Sequence, residues 1–152
     1  MRNLAKIVAA GIVLLATVGS VSAADAWKPF VEVTLPHDVV DLGCEWGPGV
    51  KRLAARLCAH VVSNCPYHLA ASFQGFRHAG GKAVMSPADL RVAINGHDAS
   101  GGAKKVPIAS SRKPTPGGVD VPVNLRVAVK GLEYYPAGQY NGILRITVMA
   151  GP

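Results

Sequence analysis

Runs in which apolar and polar residues alternate recur along most of the chain. In the clearest run, residues 121–130, five aliphatic side chains alternate with Pro122, Asn124, Arg126, Ala128 and Lys130. The same alternation is found in residues 31–35, 67–74, 89–95 and 140–148, with Ile143 as an exception. A period of two places alternate side chains on opposite faces of an extended strand. We therefore predict antiparallel strands with one face in a core and the other in water.

Glycine, proline and asparagine separate these runs. Groups that favour turns fall between the predicted strands, namely Gly47-Pro48-Gly49, Gly80-Gly81, Asn95-Gly96, Gly101-Gly102 and residues 114–118. Residues 50–59 include good helix formers. They continue without a break into residues 61–64, so we predict a single strand there. Short strands with regularly spaced turns are typical of an all-β sandwich or barrel.

The first 23 residues have the pattern of a cleavable secretory signal peptide. Arg2 and Lys6 precede an uncharged apolar stretch at residues 7–18, and Val21-Ser22-Ala23 supplies small residues for cleavage. A retained membrane anchor is the alternative, but the uncharged run is shorter than the ~20 residues needed to span a bilayer. We predict a signal peptide at 1–23, a single β-sandwich domain at 24–152, and a periplasmic or cell-surface location. In this prediction the chain meets the membrane only during export.

The chain is basic, and part of its positive charge lies close together in sequence. The formal net charge is +7, and removal of residues 1–23 leaves fourteen basic against nine acidic residues. Lys104, Lys105, Arg112 and Lys113 flank a segment with serine and proline that we predict to be a loop. This loop is either simply solvated or a contact patch for an anionic surface ligand. Aromatic residues are few and scattered, so we predict no nucleic-acid partner.

Three cysteines, Cys44, Cys58 and Cys65, are the disulfide candidates. An odd number in an exported protein indicates one disulfide and a leftover thiol, or an intermolecular bridge. A hairpin at residues 47–49 would favour a Cys44–Cys58 pair, although the other two pairings stay open. A metal site that also uses His60 and His68 is the alternative, but the cysteine spacing is far from that of zinc sites.

No recognisable catalytic motif is present. The chain lacks the Gly-x-Ser-x-Gly, His-Glu-x-x-His, phosphate-loop and dinucleotide patterns, and its nine acids form no concentrated carboxylate pair. His60 and His68 fall at positions that we expect to face solvent, and His37, His78 and His97 fall in predicted turns. We predict that the protein is not an enzyme and uses no cofactor or metal.

Three stretches resemble exported fimbrial-subunit domains of the spore coat protein U and alternate-chaperone pilin group. They are Val61-Val62-Ser63-Asn64-Cys65-Pro66-Tyr67-His68-Leu69, residues 90–96, and residues 135–148, where an Ala-Gly-x-Tyr turn (Ala137 to Tyr140) leads into an alternating strand. The resemblance implies an immunoglobulin-like antiparallel β-sandwich of about seven to eight strands. It also implies export with a periplasmic chaperone and assembly by donor-strand exchange, a form of β-augmentation.

Donor-strand exchange requires a free N-terminal extension with alternating apolar side chains. Because Val31 to Leu42 is predicted to be the first strand of the domain, only residues 24–30 precede it, and they include Pro29. The alternative is that residues 24–35 are the donor strand and the domain begins later.

Two hypotheses for function follow from these residues. The first is an exported structural or adhesive module, fimbria-like or coat-like, that acts through protein–protein or surface contacts. Its partners would be copies of itself or other envelope proteins. The alternative is a monomeric periplasmic module that binds an anionic envelope component through Lys104 to Lys113.

Overall fold

The computed structural model describes residues 28–37, 42–47, 50–102 and 104–151, which form nine strands and two short 3₁₀ turns. The predicted signal peptide lies outside these residues. The elements in chain order are β1 (Val31–Thr34), β2 (Gly43–Gly47), β3 (Val50–Ser63), β4 (Tyr67–His78), a 3₁₀ turn (Pro87–Asp89), β5 (Leu90–Ile94), β6 (His97–Asp98), β7 (Val106–Ser111), β8 (Thr115–Lys130), a second 3₁₀ turn (Leu132–Tyr134) and β9 (Tyr140–Ala150). The predicted all-β class is confirmed, with one two-residue strand beyond the expected seven to eight.

The strands form two antiparallel sheets, which we call sheet I and sheet II. Sheet I has the order β1-β3-β8-β5-β6, and β2 also pairs with β3. Sheet II has the order β7-β4-β9. The apolar faces of both sheets contribute to one buried cluster, which includes Phe73, Val123 and Leu144. The molecule is therefore a β-sandwich, because each sheet buries one face and leaves the other in water.

The alternation in the sequence predicts the core correctly. In β8 the five aliphatic residues from Val121 to Val129 are buried, and the five residues that alternate with them, from Pro122 to Lys130, are half-buried or exposed. The long segment 50–63 is one strand, as predicted. Asn95 and Gly96 both have positive φ, 49° and 81°, and form the two-residue turn between β5 and β6. This is the conformation for which an Asn-Gly pair is preferred.

Some predicted boundaries are wrong. The first strand ends at Thr34 and not at Leu42, because Pro36 has no N–H to donate and disfavours a continuing strand. The predicted loop between Lys105 and Arg112 is the strand β7. Its proline, Pro107, is tolerated because β7 is an edge strand that pairs only with β4 among the described residues.

Residues 114–118 were predicted to form a turn, but β8 already begins at Thr115. The pairing of β3 with β8 shifts register there, between Val61 and Ser63. Gly118, with φ of 77°, lies within this irregular segment. Two histidines also differ from the turn positions predicted for them: His78 ends β4 and is buried, and His97 begins β6.

The connection from β8 to β9 has a feature typical of immunoglobulin-like sandwiches. Tyr140, the first residue of β9, donates its hydroxyl hydrogen to the carbonyl oxygen of Pro136 at 2.7 Å. A tyrosine that bonds back to the backbone at this corner is a hallmark of that architecture. The corner, the two-sheet arrangement and the strand order support the immunoglobulin-like description.

Candidate functional site

The outer edge of β9 has no strand partner among the described residues. Among the described residues β9 pairs only with β4, from Tyr140 opposite His78 to Ala150 opposite Tyr67. Its eleven residues contain no proline and a single charged side chain, Arg145. Strand edges attract further strands unless charge, proline, a bulge or shortness prevents it. β9 has the least of these protections.

The other edge strands are protected in ways that β9 is not. β6 has only two residues, β1 has four and carries Glu32, β2 has five, and β7 contains Pro107. Each of these features discourages the addition of a strand. The comparison singles out β9 as the edge that is open to a partner.

Sheet I is incomplete on the same side of the sandwich. β1 pairs with residues 60–63 of β3 and β2 pairs with residues 50–54, which leaves residues 55–59 with β8 as their only described partner. β1 contacts β9 across the sandwich. A strand added along β9 would therefore lie beside the gap between β1 and β2.

The core beneath this open side is nevertheless closed. Tyr140, Leu144, Ile146 and Val148 on β9 are at most 4% exposed, and Leu57 on β3 is 8% exposed. Along the described part of β9, a partner would meet backbone N–H and C=O groups beside core side chains that are already buried. This differs from the expectation of donor-strand exchange, in which side chains of the donor complete the core.

The segment that precedes β1 is held by the domain itself. The backbone N–H of Phe30 donates to Oδ1 of Asn64 at 2.8 Å, and the Asn64 amide donates to the carbonyl of Lys28 at 3.0 Å. β1 follows immediately and pairs with β3. In the structure, residues 31–34 are thus the domain's own first strand. A free donor strand at 24–35 would require these contacts to break.

A compact corner fixes the start of β9. The His78 ring meets the Tyr140 ring edge to face, with centroids 5.1 Å apart. The Gly80 N–H donates to Nδ1 of His78 at 2.9 Å, so this nitrogen acts as the acceptor. A Cβ added at Gly138, where φ is 152°, would collide with the His78 ring. Burial raises the pKa of the Tyr140 hydroxyl above its ordinary value. The corner positions β9 without any catalytic arrangement.

The four cations of the predicted anion patch are not brought together. All are exposed, but Lys104 and Lys105 precede β7 whereas Arg112 and Lys113 follow it. An extended strand rises about 3.3 Å per residue, so the two pairs are separated by about 20 Å. The predicted loop is wrong, because the segment is the strand β7. Contact of these four cations with an anionic ligand stays a prediction.

The three cysteines are also apart. Cys58 and Cys65 are free, and the register places Cys44 opposite Leu53, five residues from Cys58 along β3. That separation is about 16 Å, beyond the ~7 Å that a disulfide can bridge between Cα atoms. The favoured Cys44–Cys58 pair is therefore not formed.

The two histidines that were considered as metal ligands lie at the surface. His60 and His68 face solvent, as predicted, and Nδ1 of His60 lies 2.8 Å from Oδ1 of the exposed Asp120. Within the described ranges, no group of three His, Cys, Asp or Glu side chains could hold a metal ion.

A cluster of arginines on the solvent face of sheet I was missed in the sequence. Arg52 on β3 and Arg91 on β5 both lie opposite Ala128 of β8, and Arg126 lies between Ala54 and Ala93 in the next row. Arg56 stands one row further along β3, opposite Asn124. The alternation shows that these side chains face solvent, but only the register of three strands shows that they are neighbours.

No protein-family model matches this chain, and comparison with curated proteins gives no significant match. In the part of the chain that the structure describes, no helix has the length and apolar character needed to cross a membrane.

Proposed function

We propose that the protein is an exported structural module that joins its neighbours by pairing strands along the open edge of β9. This is the fimbria-like or coat-like role implied by the resemblance, with a different mode of contact. The neighbour is a second copy of the chain, whose own β9 pairs antiparallel to the first. Sheet II of one copy and sheet II of the other would then form one continuous sheet across the contact.

The observation that carries this proposal is the contrast between β9 and the other edges. β9 offers eleven residues with a single charge, whereas β1, β2, β6 and β7 are short, charged or contain proline. Its pairing with β4 has one irregularity, between Phe73 and Phe76 of β4. Pairing at such an edge gains main-chain hydrogen bonds without rearrangement of either core. Because the core is already closed, the separate subunit is expected to be stable before it assembles.

Edge pairing is also compatible with the short segment between the predicted cleavage site and β1. Seven residues, 24–30, separate the predicted cleavage site from β1, and Phe30 is bonded to Asn64. A donated strand needs a long free extension, but pairing between two β9 strands needs none. We therefore favour edge pairing over exchange of an N-terminal strand.

The alternative function, a monomer that binds an anionic component through Lys104, Lys105, Arg112 and Lys113, loses its geometric support. β7 separates these residues into two pairs at opposite ends of a strand.

The proposal is tested with charged variants of the edge. Ile143 and Thr147 are half-buried on the outer face of β9, and the double variant Ile143→Lys/Thr147→Lys places two cations along the edge. The matched control is His68→Lys/Gln74→Lys, which adds two lysines at exposed positions of the central strand β4. We expect sedimentation to show multimers for the chain beginning at Ala24 and for the control, and monomers for the edge variant.

A third variant separates edge pairing from strand donation. Deletion of residues 24–27 removes chain that precedes the Lys28–Asn64 contact, and edge pairing predicts unchanged assembly. Loss of assembly on this deletion, or equal behaviour of the edge and control variants, would contradict the proposal. So would a chain that stays monomeric at every concentration.

A further inference from the structure

The arginine cluster on sheet I lines an elongated trough. A cavity of about 690 Å³ is lined by Arg52, Arg91 and Arg126, and an adjoining cavity of about 800 Å³ is lined by Arg56 and again by Arg126. The two share Ala54, Ala93 and Gly96, so they are continuous across the face of the sheet. Small alanine side chains form the floor between the larger arginines.

The spacing of the arginines follows from the sheet. Arg52 and Arg91 stand on either side of Ala128, about 10 Å apart, because neighbouring strands are separated by about 4.8 Å. Arg52 and Arg56 are four residues apart on β3, or about 13 Å. One small anion cannot reach all of these guanidinium groups, whereas a chain with repeated anionic groups can.

Little negative charge opposes the cluster. Asp98 is the acidic residue among those that line the trough, and it accepts a hydrogen bond from the Ser100 backbone at 3.0 Å. The Ser100 hydrogen bonds lower the pKa of Asp98, with Lys104 and Arg91 acting in the same direction. Glu45 stands opposite Arg52 in the register of β2 with β3. The lining of the two cavities thus contains four arginines and one acidic residue.

The lining residues restrict the class of anion. Arginine is suited to carboxylate and phosphate groups because its planar guanidinium can donate two parallel hydrogen bonds. No aromatic residue is among those that line either cavity, so bases would have no stacking surface. The exposed and half-buried lining residues are arginine, alanine, proline, glycine and small polar residues, and the large aliphatic lining residues are buried. The trough therefore presents no large apolar side chains that could insert into a lipid bilayer.

We propose that this trough binds an acidic polysaccharide, with the carboxylates of successive sugar units held by Arg52, Arg91, Arg126 and Arg56. The site lies on the solvent face of sheet I, away from the β9 edge of sheet II, and does not depend on the proposed assembly. Arg56 is already oriented, since its Nε donates to Oδ1 of Asn124 at 3.0 Å.

The experiment uses oligogalacturonate as the probe and the chain that begins at Ala24. Calorimetric titration at fixed ionic strength compares three proteins: the parent, Arg91→Ala/Arg126→Ala, and Arg112→Ala/Lys113→Ala. The last variant loses the same charge at exposed positions beyond the far end of β7. We expect at least about a tenfold weakening for the trough variant, corresponding to about 1.4 kcal/mol, and less than about a twofold change for the control.

Parallel titrations with single-stranded DNA and with phosphatidylglycerol vesicles distinguish the ligand classes. The proposal predicts that both bind more weakly than oligogalacturonate and that their binding is equally sensitive to the two double variants. Equal losses of oligogalacturonate binding in both variants would show that the ligand is attracted by the net positive charge of the protein. This result would contradict a specific site in the trough. Tighter binding of DNA or vesicles that depends on Arg91 and Arg126 would overturn the ligand class, and an absence of oligogalacturonate binding would overturn both.

Discussion

Tyr140 shows how a single side chain connects the fold to the proposed assembly edge. Its ring is buried against His78, and its hydroxyl bonds to the carbonyl of Pro136. The first residue of β9 is thereby fixed in position while the opposite side of the strand stays free. Tyr134 does not have such a role, since it is 84% exposed. The hydroxyl of Tyr135 instead donates to Oδ2 of Asp89 at 2.6 Å and accepts from the backbone N–H of Ser86 at 2.9 Å.

Replacement of this hydroxyl tests its contribution. Tyr140→Phe removes one internal hydrogen bond, and we expect the free energy of unfolding to fall by about 1 kcal/mol. Tyr134→Phe is the matched control, with a change within about 0.5 kcal/mol. Urea unfolding followed by fluorescence measures both. Equal stability of Tyr140→Phe and the parent would show that the corner bond contributes nothing to the fold.

At the scale of elements, the sequence predicts strands far better than it predicts their ends. Alternation is a property of each strand alone, so β4, β8 and β9 could be recognised directly. β3 was predicted instead from its unbroken continuation into residues 61–64. Proline decides two of the strand boundaries that were wrong. Pro36 ends β1 after Thr34, whereas Pro107 is accommodated within β7. Pro107 looks like a loop residue until the edge position of β7 is known.

The candidate sites depend on register and could not be read from the same patterns. Arg52, Arg91 and Arg126 are distant in sequence, and three strands must align before they become neighbours. That β9 is an edge strand likewise follows only from the order of the strands in sheet II. The loop predicted between Lys105 and Arg112 was wrong for the converse reason, because residues that are close in sequence lie far apart when the segment is an extended strand.

The turn into β9 is an element whose sequence requirement can be tested. Gly138→Ala places a methyl group against the His78 ring. The φ of residue 138 is 152°, a value that residues other than glycine rarely adopt. We expect a loss of about 2 kcal/mol in the free energy of unfolding. Gly117→Ala is the control, because its added methyl meets no atom within 4 Å. A similar small effect of both substitutions in thermal unfolding would contradict the role given to this corner.

At the scale of the whole molecule, the sandwich separates two surfaces. The β9 edge belongs to sheet II and offers backbone hydrogen-bonding groups, whereas the arginine trough belongs to the solvent face of sheet I and offers charge. A module that pairs through one surface and binds an acidic polymer through the other would suit a structural role outside the cell. The closed core allows each subunit to fold before it meets a partner.

Hydrogen exchange at β9 tests the central claim most directly. The backbone amides of residues 140–150 are compared between dilute monomer and concentrated protein, under reducing conditions that exclude bridges through Cys58 or Cys65. The account predicts that β9 amides become protected on concentration while those of β7, the other edge of sheet II, stay unchanged. Multimers in which β9 exchanges as fast as in the monomer would contradict it.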